Sequence, residues 1–194
     1  MTTERALTRL RNGLLDPLAI RSSEGERLAA VLVPIFEHAG ELHVLYITRA
    51  DHLSSHRGQV AFPGGRVDPT DKTVMAAALR ETWEEVGIEQ AAVAMLGAFP
   101  EARTATTGII VAPFVGRIPW PVALRANPDE VAEIFTVPIS ALRAEQYRGL
   151  YTFRRNGLEW KFPAIIYDGR PIWGLTYRIT INLLELMDES RAVS

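Results

Sequence analysis

The chain predicts an α/β sandwich, and three features of its 194 residues point there. Two continuous apolar runs, residues 28–36 and 42–48, flank the turn-like Glu37-His38-Ala39-Gly40-Glu41 and read as a strand hairpin. Apolar residues recur at helical spacing in three places: Leu7, Leu10 and Leu14; Met75 through Val86; and Leu175, Ile179, Leu183 and Met187. Asn156-Gly157, between two further apolar stretches, is a strong signal for a two-residue hairpin turn. Strands mixed with a few amphipathic helices bury both element types best as layers.

In chain order, the first helix spans about residues 1–16 and closes at Pro17, which cannot continue a helix. Strands follow at 28–36 and 42–48, and a short one at 59–62 leads into Phe62-Pro63-Gly64-Gly65. A helix covers the region from Met75 to Val86, with Asp71 or Thr70 as its cap and Gly87 at its end. Strands are expected at 92–99 and 108–118, a short helix at 139–146, and a hairpin at 151–155 and 158–167. A final helix runs over about 172–189. No repeat, low-complexity stretch or Pro/Ser-rich linker divides the sequence, so residues 1–194 are expected to form one domain.

Composition narrows the functional classes. A hydrophobic content of 47% supports a large core, and a net charge of −2 gives no global attraction to nucleic acid or a membrane surface. An anionic substrate must therefore be held by local groups. The chain has no cysteine, which excludes disulfides, a thiol nucleophile and thiolate zinc sites. That fits a reducing cytoplasm, the expected location. Residues 1–15 alternate charges with leucines, unlike a secretory signal, and no apolar run is long enough to span a membrane.

The densest chemistry lies in Arg80-Glu81-Thr82-Trp83-Glu84-Glu85-Val86-Gly87-Ile88. On a helix, Met75, Leu79, Thr82, Trp83 and Val86 form one stripe, expected to face the core. Glu81, Glu84 and Glu85 fall within roughly 100° of one another on the other side. Arg80 stands one turn before Glu84, at ion-pair spacing. Three crowded carboxylates repel one another unless a positive charge sits among them, and hard divalent cations such as Mg²⁺ or Mn²⁺ prefer oxygen ligands. An ordinary solvated Glu-rich face is the alternative. The preceding glycines favour the site, because Gly64 and Gly65 let a backbone carbonyl approach closely as a further ligand. Arg49, His52, His56 and Arg57 form a basic group suited to phosphate oxygens. Trp120, Tyr151, Trp160 and Trp173 can each stack on a base or fill the core.

Gly65 and residues 80–88 resemble the Nudix hydrolase signature, in which a glycine, a glutamate and R-E-U-x-E-E-x-G-U follow at set spacing, U being a bulky aliphatic residue. The signature glutamate falls on Lys72, with Asp71 beside it, in a loop one residue longer than the pattern. Residues 45–65 (LYITRADHLSSHRGQVAFPGG) and the longer loop 64–71 (GGRVDPTD) resemble the coenzyme A pyrophosphatase branch. Ile47 and Ser54 depart from that branch, which usually has threonine and arginine there. Thr107-Gly108, Val111-Ala112-Pro113, Asp129-Glu130-Val131, Phe135, Val137-Pro138 and Ile172-Trp173-Gly174 extend the similarity over about residues 28–187.

The resemblance implies an α/β/α sandwich around a mixed sheet. It implies a metal-dependent pyrophosphohydrolase acting on coenzyme A or its derivatives, releasing adenosine 3′,5′-bisphosphate and 4′-phosphopantetheine. Another nucleoside diphosphate derivative (ADP-ribose, NADH), or a non-catalytic binding or regulatory module, is the alternative. Glu84 and Glu85 would be the main metal ligands, with Gly65, and Glu81 a third ligand or the base. Arg80 would orient the carboxylates, while Arg49, His56, Gly64 and Gly65 would meet the substrate. A base from a distant loop would be Glu130 or Glu133, with Glu101 a third candidate. The expected partner is a CoA-type small molecule, with no nucleic acid or membrane, and a homodimer is a candidate assembly.

Overall fold

The computed structural model describes residues 2–20, 27–52, 58–104, 108–155 and 157–188. Strands β1 (Leu28–His38) and β2 (Glu41–Arg49) form the expected hairpin, with His38 opposite Glu41. The two-residue turn takes positive φ at both Ala39 and Gly40, the twist that suits a tight hairpin. Strands β3 (Val60–Ala61) and β4 (Gly64–Arg66) are short, and β5 (Ala94–Ala98), β6 (Ala102–Arg103), β7 (Ile110–Arg117) and β8 (Val131–Pro138) complete an eight-stranded sheet. Its backbone order is β3-β2-β1-β7-β5, with β4 added to β1, β6 to β7 and β8 to β2. β1 and β7 run parallel, from Leu28 opposite Ile110 to Ile35 opposite Arg117, while the other pairs are antiparallel. The sheet is therefore mixed. A parallel pair covered on both faces needs apolar side chains in both directions, which explains the continuous runs in β1 and β7.

The layers follow from the helix stripes. α2 (Val74–Val86) covers one face, packing Val74, Ala77 and Ala78 on Ala30, Leu32, Ala112 and Phe114. α1 (Thr3–Gly13) and α4 (Gly174–Met187) cover the other, where Leu7 and Leu10 meet Leu183 and Met187 over Val33, Ile35 and Val115. The short α3 (Ile139–Arg143) closes that layer. The expected α/β/α sandwich is thus observed. A second sheet of β9 (Arg148–Arg155), β10 (Leu158–Tyr167) and β11 (Arg170–Trp173), in the order β11-β10-β9, carries the predicted hairpin.

Several boundaries differ from expectation for identifiable reasons. α1 ends at Gly13, before Pro17, because Leu15 instead exchanges backbone hydrogen bonds with Ala98. Pro17 begins a separate short turn whose cap is Asp16. β8 has no clear pattern of its own, since its Ala132, Glu133 and Ile134 interrupt the apolar alternation, yet it pairs along β2 from Arg49 to His43. Arg170 to Trp173 pair with β10, so the last helix starts at Gly174, two residues after its expected start. The N-cap of α2 is Thr73, whose Oγ1 accepts from Ala76 N–H at 3.0 Å, in place of Asp71 or Thr70.

One buried polar link ties α4 to the central sheet. Thr180 Oγ1 donates to the Thr176 carbonyl at 2.9 Å, so the Tyr46 hydroxyl donates to Thr180 at 3.0 Å. Burial raises the pKa of that phenol, which keeps it a neutral donor. Tyr46→Phe is expected to lower stability by about 0.5–1.5 kcal/mol, seen as a lower urea midpoint with an unchanged m-value.

Candidate functional site

The loop after β3 and the second half of α2 converge on one polar cluster. Gly64 pairs with Val31 and Gly65 with Ala30, so β4 lies directly on the central strand. Gly64 has φ 149°, and a Cβ there would overlap the Ala30 carbonyl. At Gly65 a Cβ would overlap the Glu81 carboxylate. Glycine at Gly64 is therefore a steric requirement of bringing this backbone against β1, whereas a side chain at Gly65 would displace the Glu81 carboxylate.

Glu85 is the most constrained member. It is 1% exposed, and its Oε2 accepts the Gly64 N–H at 2.8 Å. Its Oε1 is buried and has no hydrogen-bond partner, although Arg49 Nη1 lies 3.7 Å away. Burial pushes its pKa up to about 8, against the opposing pull of the Gly64 N–H and Arg49, while Glu130 and Glu81 push further up. Burial also raises Glu81, with Arg80 opposing. Glu81 and Glu85 thus feel the charge of Glu130, from the loop before β8, which lies within electrostatic reach of the helix carboxylates. Backbone bonds hold that loop: Ala50 N–H donates to the Glu130 carbonyl at 2.9 Å, and Asn127 N–H to the Glu85 carbonyl at 2.9 Å.

Arg80 organises the exposed side of the cluster. Its Nη1 donates to Glu81 at 2.9 Å and to Glu84 at 3.0 Å, and its Nε and Nη2 grip Asp71 at 3.0 Å each. This fork holds the Asp71 carboxyl below its usual range. The longer loop thereby presents Asp71, not Lys72, to Arg80, and Lys72 is exposed. A positive charge at Lys72 does not enter the cluster. The role of Asp71 is a residue the spacing missed; its signal was its position next to the signature glutamate in a loop longer by one.

Other expectations are redistributed. The buried arc of α2 is rotated by roughly 90° from the expected stripe, so that it takes in Val74, Ala78, Thr82, Glu85 and Val86 and leaves Trp83 43% exposed. The small Ala77 and Ala78 let the helix lie close to the sheet on that side, turning Glu85 inward. Glu133 forms a two-pronged pair with Arg170 at 2.6 and 2.8 Å, away from the helix carboxylates. Glu101 is exposed. Arg49 reaches the cluster, whereas His52 bonds the Asp129 carbonyl at 2.9 Å; Ser54, His56 and Arg57 lie outside the described residues. Trp120 stacks on Phe36 at 3.9 Å in the core, while Tyr151, Trp160 and Trp173 lie together on the second sheet.

Among the described residues no three acidic, imidazole or thiol side chains already converge on a single point, because Arg80 bridges Glu81 and Glu84. The donor chemistry nonetheless fits a hard cation: the orphaned Glu85 oxygen, the mutual repulsion with Glu81 and Glu130, and the close glycine backbone all favour added positive charge. No helix among the described residues is long and apolar enough to cross a membrane.

The sequence and the fold that carry this cluster are similar to those of known proteins. A NUDIX domain model matches residues 26–160. An uncharacterized Nudix hydrolase, NudL, from Cronobacter sakazakii is 42% identical over 189 residues, covering 94% of this chain and 93% of the relative. The protein of the same name from Salmonella paratyphi B is 39% identical with the same coverage, 94% and 93%. The crystal structure of a MutT/nudix family protein from Enterococcus faecalis shares the fold, with TM-score 0.55 and 19% identity over 95% of this chain and 68% of that one. The chain belongs to the Nudix hydrolase family.

The raised Glu85 pKa has a definite sign for stability. Between its ordinary value of 4.5 and about 8 the folded state holds more protons than the unfolded state, so stability falls as pH rises through that window. The lowered Asp71 and Glu133 act oppositely, and their contribution is lost on acidification below the ordinary carboxylate range. The metal-free protein is expected to melt at progressively lower temperature from pH 5 to 8 in chelator. Glu85→Gln should flatten that slope, as measured by thermal unfolding across the series.

Proposed function

We propose that the protein is a metal-dependent pyrophosphohydrolase that cleaves coenzyme A or its derivatives to adenosine 3′,5′-bisphosphate and 4′-phosphopantetheine. The observation that supports it most is the buried Glu85 oxygen without a partner, set among Glu81, Glu130 and the Gly64-Gly65 backbone. The resemblance of residues 45–71 to the coenzyme A branch supports the substrate class, and the absence of a competing charge from Lys72 supports an active site over a degenerate one.

On this reading Glu84 and Glu85 hold Mg²⁺ or Mn²⁺ with a Gly65 or Gly64 carbonyl, and Glu81 is a third ligand or assists proton removal. The cation, when bound, supplies positive charge against the diphosphate oxygens and lowers the pKa of the attacking water. Arg80 keeps Glu81 and Glu84 on one side of the helix and is itself anchored by Asp71. Arg49, a quarter exposed beside Glu85, turns its remaining donors to a substrate phosphate. Glu130 is the better candidate for the water's proton acceptor, because it lies in the field of Glu81 and Glu85, whereas Arg170 occupies Glu133. Catalysis here is chiefly positioning and electrostatics.

Coenzyme A, ADP-ribose and NADH presented at equal concentration with each cation, and the products identified, test the substrate. The expected result is the highest kcat/KM for coenzyme A; preference for ADP-ribose or NADH overturns the substrate class, and no turnover of any overturns the activity. Glu84→Gln is expected to remove turnover by orders of magnitude with the fold retained. Glu130→Gln should lower kcat by about 10²- to 10⁴-fold, with Glu133→Gln near the parent value; the reverse order would transfer the base role to Glu133.

A further inference from the structure

The second sheet carries an apolar face that the hydrolase site does not use. Side chains alternate across a strand, and the register sets Tyr151 opposite Phe162, Phe153 opposite Trp160, and Ala164 opposite Trp173. These five rings interlock, with centroids from 4.6 Å (Tyr151 to Trp173) to 6.0 Å (Phe153 to Trp160). Leu158 and Ile166 share their face by the same alternation, and Ile166 lies against Gly149 there. Leu158 is 60%, Trp160 40%, Phe162 36% and Ile166 37% exposed. The opposite face carries Ile165 and Ile172, buried in the main core with α4, and farther out Arg154, Glu159 and Lys161. Scattered exposed apolar residues are ordinary, but a contiguous sheet face of this kind marks a contact.

We infer that this face is the contact between two copies of the chain, packed face to face about a two-fold axis. Its chemistry selects that occupant. None of the eight side chains named on the face is charged, and the register adds one basic residue, Arg155, only at the outer end of the strand pair, opposite Leu158. Pairing it with itself opposes no like charges among those eight side chains. Arg154 and Glu159 pair with each other at 2.9 Å on the reverse side. The area also fits: the four most exposed side chains present roughly 300 Å² of apolar surface, given ~150–250 Å² for a whole aromatic residue. With the partly exposed Tyr151, Phe153 and Trp173 this approaches the apolar core of a homodimer, about 65% of ~800 Å² per copy.

Sedimentation equilibrium of the full chain, without metal or nucleotide, separates this inference from the hydrolase reading. Over about 1–100 µM the parent is expected to approach twice the chain mass, and dilution should red-shift its tryptophan emission. Trp160→Glu should weaken association at least ~30-fold, the loss expected for a central interface aromatic. Leu158→Lys, at the more exposed rim, should weaken it while circular dichroism remains that of the parent, which covers a failure of the first variant to fold. Leu150→Glu, exposed on the reverse face, should leave association unchanged. A parent that is monomeric throughout overturns the inference, as does a dimer that survives both Trp160→Glu and Leu158→Lys. A monomer whose tryptophan emission is quenched by AMP would make the face a base-stacking surface and overturn it equally.

Discussion

A single hydrogen bond, from the Gly64 amide to the buried Glu85 carboxylate, links the three structures on which the site depends. It joins the glycine strand to α2, and through β4 it joins α2 to β1 at the middle of the sheet. A carboxylate in that position is costly without partners, and only one of its oxygens has one. The fold accepts this because the rest of α2 is well buried against Ala30, Leu32 and Phe114. Hydrophobic packing elsewhere on the helix thus holds an acidic group where it would not settle by itself. Strain of this kind, concentrated where chemistry is done and offset by the surrounding core, is what a functional site requires.

Arg80 plays the complementary part. It gathers Asp71, Glu81 and Glu84 with one guanidinium, so three carboxylates share a single positive charge and the exposed side stays net negative before any cation arrives. The inner carboxylates have no such partner beyond Arg49. Both sides of the cluster therefore remain short of positive charge, which favours an added cation among Glu81, Glu84, Glu85 and the Gly64-Gly65 backbone.

Much of this was legible in the residues, though unevenly. Strands β1 and β7 declared themselves because a parallel pair buried on both faces must be apolar throughout, and β2 by its own apolar run after the hairpin turn. α2 was visible from its periodicity, but not its rotation: the pattern centred on Thr82 and Val86 could not weigh two alanines, whose small size sets which side approaches the sheet. That is why Glu85 seemed exposed and Trp83 buried. β8 stayed hidden because its pairing with β2 comes from a partner some ninety residues away and not from its own alternation. Glu130 and Glu133 could not be told apart until Arg170, distant in sequence, was seen to take one of them. Asp71 was one residue from the position the spacing indicated, and only the bidentate grip of Arg80 showed which of the two neighbours completes the group.

The meeting of the first and last helices bears on biosynthesis. Gly13 lies against Leu186, and Arg9 donates to the Met187 carbonyl at 3.2 Å, so the opening segment takes part of its cover from a helix far along the chain. As the chain leaves the ribosome, Leu7 and Leu10 must stay without some of their final neighbours until Leu183 and Met187 have emerged. A nascent chain halted before Leu183 would present two greasy, unmatched surfaces to chaperones and proteases. Quality control would thus have a physical means of distinguishing unfinished copies from finished ones.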